Sequence, residues 1–131
     1  MNENLKLVRE IYAAFAAGDL QRFFACLDPQ IHWNEAEGFP LSDRNPYVGT
    51  DALASGVFER LIADWKDFRV QVDELAGSGD VVTMFGRYKA IYRSTGKPLD
   101  VQCSHTWWLQ NGKAVRFQQM VDTARVARAM S

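Results

Sequence analysis

Residues 97–123, KPLDVQCSHTWWLQNGKAVRFQQMVDT, decide the fold. Two apolar-rich runs flank Asn111-Gly112, and Asn-Gly is the strongest short-range signal for a two-residue type I′ hairpin, because both central residues must take positive φ. With a tight turn, Gln110 faces Lys113, Trp107 faces Arg116, His105 faces Gln118, Cys103 faces Met120 and Val101 faces Asp122. Opposed residues share a face of the sheet. One face then carries Val101, Cys103, His105, Trp107, Leu109, Gln118, Met120 and Asp122, an apolar surface with two ionisable groups set into it. The other carries Ser104, Thr106, Trp108, Val115, Phe117, Gln119 and Val121. The first face suits the wall of a pocket, or equally a plain core face with polar rim residues.

The rest of the chain bounds what that hairpin serves. At 131 residues it fits one domain, 1–131, with a real core. Fifteen Lys and Arg against 16 Asp and Glu, scattered rather than clustered, give no electrostatic reason to expect nucleic acid or an anionic membrane. The start, MNENLKLVRE, is too polar for a signal peptide. No apolar run approaches the ~20 residues of a membrane span. Cys26 and Cys103 lie far apart and read as buried thiols in a reducing, cytoplasmic compartment. With His32 and His105 the only histidines and no close ligand spacing, neither metal nor cofactor is expected.

Upstream, Leu5, Val8, Ile11, Tyr12 and Phe15 form one helical stripe, closed by Gly18. Asp19 caps a short second helix carrying Leu20, Phe23, Phe24 and Leu27. Residues 30–36 alternate as a strand with Ile31, Trp33 and Glu35 on one face. A third helix begins at Gly49-Thr50-Asp51, and two further strands follow at 68–75 and 81–93. Asp122-Thr123 opens a last short helix. Helices early and strands late predict an α+β domain, a curved, mainly antiparallel sheet wrapped around N-terminal helices to form a cone with a central apolar pocket.

Three stretches, IYAAFAAGDLQRFFACLDPQIHW, PYVGTDAL and SHTWWLQNGKAVRFQQMVDTA, resemble the ketosteroid isomerase-like superfamily, also called SnoaL-like or nuclear transport factor 2-like. The superfold carries isomerases, cyclases, hydrolases, dehydratases and non-enzymatic modules, so the resemblance speaks to fold more than to activity. It implies a deep apolar pocket, dimerisation through the outer face of the sheet and, in its enzymatic branches, proton transfer beside a carbonyl. The proton-shuttling carboxylate of steroid isomerases aligns with Glu35, a hydrogen-bonding acid belongs at or near His105, and the acid-base aspartate of the polyketide cyclase branch falls in the region of Asp122. The tyrosine that holds the oxyanion in steroid isomerases aligns with Ile11. Tyr12, about 100° further around the helix, is not expected to replace it.

Glu35, His105 and Asp122 are therefore the candidate catalytic residues, with Trp33, Tyr47, Trp107, Gln118 and Met120 as ligand-binding candidates. Each has a plain structural alternative: Glu35 as a solvated carboxylate near Arg44, His105 bonded to Gln118, Asp122 as a helix cap, and Tyr47 packed on the third helix. Asp122 faces Val101, about 13 Å along the sheet from His105, so the two form no direct dyad. The expected function is binding of a small apolar molecule, with isomerisation, cyclisation or dehydration of a carbonyl compound by acid-base catalysis. The alternative is a non-catalytic binding or scaffold protein. A homodimer is expected, built on Trp108, Val115, Phe117 and Val121.

Overall fold

The computed structural model describes residues 2–131. Helix α1, Glu3–Ala16, starts where the Asn2 side chain accepts the backbone N–H groups of Asn4 and Leu5. It buries Val8, Ile11 and Ala14. Gly18, at φ 70°, takes the left-handed conformation that ends the helix. Asp19 then caps α2, Leu20–Ala25, through the Arg22 N–H. Strand β1 spans Leu27–Asn34, three residues earlier than the alternation indicates. Its register is irregular between Leu27 and His32, and Pro29, which has no N–H for a ladder, lies within that stretch.

A 3-10 turn, Pro40–Arg44, leads to the two-residue strand β2, Tyr47–Val48. The next helix is continuous in three parts: α3, Thr50–Leu53; a π turn, Ala54–Phe58; and α4, Glu59–Asp64. Gly56 in the π turn has no alternative, since a Cβ there would lie 2.4 Å from the Tyr47 ring. Strands β3 (Trp65–Ser78), β4 (Val81–Tyr92), β5 (Pro98–Gln110) and β6 (Lys113–Val121) follow, then helix α5, Thr123–Ala129. The sheet runs β2-β1-β6-β5-β4-β3. Only the β1–β6 pair is parallel, so the expected α+β architecture with a mainly antiparallel sheet is the one observed.

The hairpin departs from its expected register. Asn111 (φ 51°) and Gly112 (φ 74°) form the positive-φ turn, and Gln110 does face Lys113. Leu109 then pairs with Ala114 but Trp108 with Arg116, so Val115 is an extra residue on β6. Beyond it every pairing is displaced by one: Trp107 faces Phe117, His105 faces Gln119, and Cys103 faces Val121. A one-residue slip exchanges the faces of a strand. The β5 assignment holds, with Val101, Cys103, His105, Trp107 and Leu109 all buried. The β6 assignment is corrected: Phe117 and Gln119 point into the core, and Gln118 and Met120 lie on the outer face.

Side-chain chemistry accounts for the bulge. An unslipped ladder would bury the Arg116 guanidinium and expose the Phe117 ring. Burying an unpaired charge costs several kcal/mol, and leaving a Phe in water forfeits about 1.5–3 kcal/mol. The bulge leaves Phe117 only 1% exposed and frees Arg116 to lie 4.2 Å over the Trp108 ring on the outside. Phe117→Ala should therefore destabilise the fold by about 3–5 kcal/mol in urea unfolding, while Met120→Ala changes it by less than about 0.5 kcal/mol. The reverse order would restore the unslipped hairpin.

Candidate functional site

The buried face of the sheet meets α1, α2 and residues 50–64 across an aromatic layer. Trp33 stacks on Phe117 at 3.7 Å between ring centres, Trp107 packs on Phe117 at 4.6 Å, and Phe58 lies against Phe23 at 5.1 Å. This layer does not close completely. A cavity of about 50 Å³ remains, room for a few water molecules. Its polar wall consists of Glu35, Gln119, Tyr88, His105 and Tyr12; aromatic and aliphatic side chains supply the rest. Tyr12, Phe15, Phe68 and Val70 are half-buried and mark its open side, between α1 and β3.

Glu35 follows the last residue of β1. The Asn45 side chain clamps its backbone, accepting the Glu35 N–H at 2.9 Å and donating to its C=O at 2.7 Å. The next N–H, of Ala36, donates to Gln119 Oε1 at 3.1 Å. Held this way, Glu35 is 4% exposed. Burial raises its pKa to about 7, against a smaller opposing pull from the Trp33 indole N–H. That indole nitrogen is buried and completes no hydrogen bond in the protein. Arg44 makes no ion pair with Glu35, so the solvated-carboxylate alternative does not describe this residue.

His105 sits mid-strand on β5 with both ring nitrogens engaged. Nδ1 lies 2.6 Å from the Tyr12 hydroxyl, and Nε2 lies 2.5 Å from the Tyr88 hydroxyl. Trp107 Nε1–H donates to Tyr12 Oη at 2.9 Å, and Gln119 Nε2–H donates to Tyr88 Oη at 2.9 Å. Burial pushes the imidazole pKa down to about 3, so it is neutral at physiological pH. Burial likewise drives both phenols well above their ordinary value. The Glu35 charge is felt at Tyr88, which places the carboxylate and the phenol within electrostatic reach of each other. Cys103, beside Tyr88, is pushed up to about 12 by burial, so its thiol is unreactive.

The sequence candidates divide. Glu35, His105, Trp33 and Trp107 line the one cavity. Tyr47 instead packs against Gly56, donates its hydroxyl to the Leu41 carbonyl, and receives a bond from Arg60 at 3.3 Å. Asp122 is exposed and caps α5, accepting the Arg125 N–H at 3.2 Å. Gln118 and Met120 face outward. Three residues of the polar wall, Tyr12, Tyr88 and Gln119, were not expected there. Tyr12 reaches the site from α1 despite its offset from Ile11, because the long phenol spans to His105 on β5. Gln119 was hidden by the Val115 bulge, and Tyr88 shares an inward-facing alternation with Met84 and Ala90 that a reading of β4 could have singled out. Among the described residues, no three His, Cys, Asp or Glu side chains converge as a metal site, and no helix is long and apolar enough to cross a membrane.

The SnoaL-like domain profile matches residues 8–117. No curated protein matches the chain. Among solved structures, an NTF2-like protein from Burkholderia thailandensis E264 is 36% identical over 100% of this chain and 99% of its own, with a TM-score of 0.93. TerC, crystallised with polyporic acid, is 21% identical over 98% of both chains, with a TM-score of 0.87. A structure described as a putative SnoaL-like polyketide cyclase from Jannaschia sp. CCS1 is 16% identical over 98% of this chain and 92% of its own, with a TM-score of 0.83. The last two likenesses establish the shared fold alone.

Burial makes a pH prediction. Unfolded Glu35 ionises near pH 4.5 and folded Glu35 near pH 7. The stability it contributes is complete below pH 4.5 and is lost as pH rises through 7. Glu35→Gln has no such loss, so its stability relative to the parent should rise by about 3 kcal/mol between pH 4 and pH 8. Parallel urea titrations at the two pH values measure this; an unchanged difference would place Glu35 in water.

Proposed function

The chain belongs to the SnoaL-like domain family, and we propose that its cavity binds a small, largely apolar molecule on which Glu35 acts as a general base. The observation that carries this reading is a carboxylate with a pKa near 7, buried in an aromatic layer and facing the Tyr12–His105–Tyr88 group. A base is most effective when its pKa lies near the working pH, and desolvation supplies that match here. The substrate class is a carbonyl compound with an acidic adjacent C–H, and the reaction class is isomerisation, cyclisation or dehydration. Asp122, exposed at the start of α5, is not part of the mechanism. His105 does not exchange protons with the substrate directly, since both its nitrogens bond phenols; it positions them.

A second reading, a binding protein without turnover, draws on the tightness of the cavity. Anything larger than a few waters must displace the side chains at its open side. The two readings part on a generic proton-transfer probe. 5-Nitrobenzisoxazole loses its C–H proton to a base as its N–O bond breaks, giving a nitrile and a coloured phenolate. The parent protein should open it with a rate that rises to a plateau through a midpoint near pH 7. Glu35→Gln should lower that rate by about 10²–10⁴-fold while the probe still binds. Equal turnover in the variant would leave the binding-protein reading.

The proposed protein is also a cytoplasmic homodimer. Two free, buried thiols suit a reducing compartment. The outer face presents Phe85 at 47% exposure and Met120 at 58%, flanking Ser104 in one row across β4, β5 and β6. Val81, Trp108 and Arg116 form a second row. The Val115 bulge turns Phe117 and Val121 away from this surface, and Phe85 and Met120 take their place. A contiguous apolar patch of this kind favours self-complementary packing. Phe85→Glu should convert the dimer to monomer in sedimentation at tens of micromolar protein, whereas a monomeric parent would remove the interface.

A further inference from the structure

The chain of groups Tyr12, His105 and Tyr88 invites a count of its hydrogens. The two phenols carry one O–H proton each, and the imidazole, neutral inside this aromatic layer, carries one N–H. Three hydrogens therefore serve two contacts, Tyr12 to Nδ1 and Tyr88 to Nε2. If Nδ1 holds the proton, it donates to Tyr12, Tyr88 donates to Nε2, and the Tyr12 O–H is left over. If Nε2 holds the proton, it donates to Tyr88, Tyr12 donates to Nδ1, and the Tyr88 O–H is left over.

The surplus proton has no strong acceptor in the protein. The other neighbours of the two phenol oxygens, the Trp107 indole and the Gln119 amide, are donors. They fill acceptor positions and so turn the free O–H away from the protein. The Cys103 thiol beside Tyr88 offers only a weakly accepting sulfur. Both phenols line the cavity, and so does Trp33, whose buried indole N–H completes no hydrogen bond although it lies near enough to the Glu35 carboxylate to act on it. A buried donor without an acceptor is unfavourable unless water or a ligand atom meets it.

We propose that Tyr12, His105 and Tyr88 form a tautomer-set donor, in which the imidazole determines which one of the two phenols offers its O–H to an oxygen of the bound molecule. The cavity thus takes a ligand with an electron-rich acceptor oxygen, a carbonyl that becomes an enolate or an aromatic phenolate, and holds it with one phenolic donor at a time. Shifting the imidazole proton between Nδ1 and Nε2 moves that donor across the pocket without changing its charge. Tyr12 and Tyr88 would touch the ligand; His105, Trp107 and Gln119 are positioning residues. This inference rests on the cavity being the ligand site and does not require Glu35 to act as a base.

Imidazole nitrogen spectra of the ¹⁵N-labelled protein test the relay before any ligand is added. Only two histidines occur, and the spectrum of a His32→Asn variant, which removes the exposed ring, assigns the remaining resonances to His105. Tyr12→Phe leaves Tyr88 as the sole partner, and the arrangement that keeps a rotatable rather than a fixed donor unpaired has the proton on Nε2. Tyr88→Phe, by the same reasoning, puts the proton on Nδ1. The two variants should show opposite tautomers, each with a folded amide spectrum. The same tautomer in both, or a doubly protonated ring at pH 7, overturns the relay.

The ligand arm uses 4-nitrophenol, whose phenolate is coloured. The parent should bind the phenolate, and at least one of the two Tyr→Phe variants should bind it at least tenfold more weakly. Glu35→Gln should bind it more tightly, because a like charge is gone. Phenolate binding that neither Tyr→Phe change weakens refutes the donor even if the parent opens 5-nitrobenzisoxazole. Failure of that ring opening, with the tautomer and phenolate responses intact, refutes the Glu35 base and leaves the relay standing.

Discussion

The extra residue in β6 governs everything that happens on the buried face. By slipping the β5–β6 ladder at Val115, the bulge sends Phe117 inward and Arg116 outward, and it brings Gln119 opposite His105. Two consequences are inseparable. The aromatic layer gains the ring that stacks on Trp33, and the polar wall gains the amide that ties Tyr88 to the backbone at Ala36. Without the slip, neither the core nor the site would have its present membership. Strand β6 also pairs in parallel with β1, and the register irregularity of that pair, between Leu27–Ala114 and His32–Arg116, spans the same residue, Val115.

The site is built from groups that this environment keeps neutral. Glu35 is held protonated up to about pH 7 and His105 unprotonated down to about pH 3, both by desolvation. Among the described residues no ion pair compensates either one, and the salt bridges involving Arg22, Arg60 and Arg87 lie at the surface. Buried polar groups without charge are tolerated when their hydrogen bonds are satisfied. His105 and Gln119 meet that condition within the network, while one of the two phenols keeps a surplus O–H. Trp33 Nε1 does not meet it, and its indole adjoins the carboxylate. The polar shortfall of the core is thus concentrated at the cavity.

Much of the fold was legible because strong local signals coincide with tertiary demands. The Asn111-Gly112 turn, the helix break at Gly18-Asp19 and the alternation of β5 each have a single good solution. The β6 faces were not legible, since ladder counting assumes one residue per rung, and a bulge arises from the energetic preference for burying Phe117 over Arg116. The same limit explains the site. Glu35 and His105 stand out as ionisable residues on apolar faces. Tyr88 and Gln119 look ordinary in sequence and acquire their place only through a partner on another strand. Asp122 shows the converse: its residue type and position fit an acid-base role, but the same residue type is a good helix cap, and the backbone uses it as one.

Tyr12 shows why an alignment of positions is a poor guide to the reach of a side chain. Its Cα lies one step from Ile11, the position to which the resemblance assigns an oxyanion-holding tyrosine, and a rotation of about 100° argues against equivalence for a short side chain. A phenol extends far enough to cross that offset when its oxygen has something to bond. Here Trp107 and His105 together fix the oxygen, and the ring stacks nearly parallel to the imidazole, at 13° and 5.8 Å. The polar group in the cavity is therefore specified by the network that receives it more than by the helix position that supplies it. Other chains of this fold can then place a phenol in the same space from a neighbouring position, provided that the facing strand carries acceptors and donors to hold it.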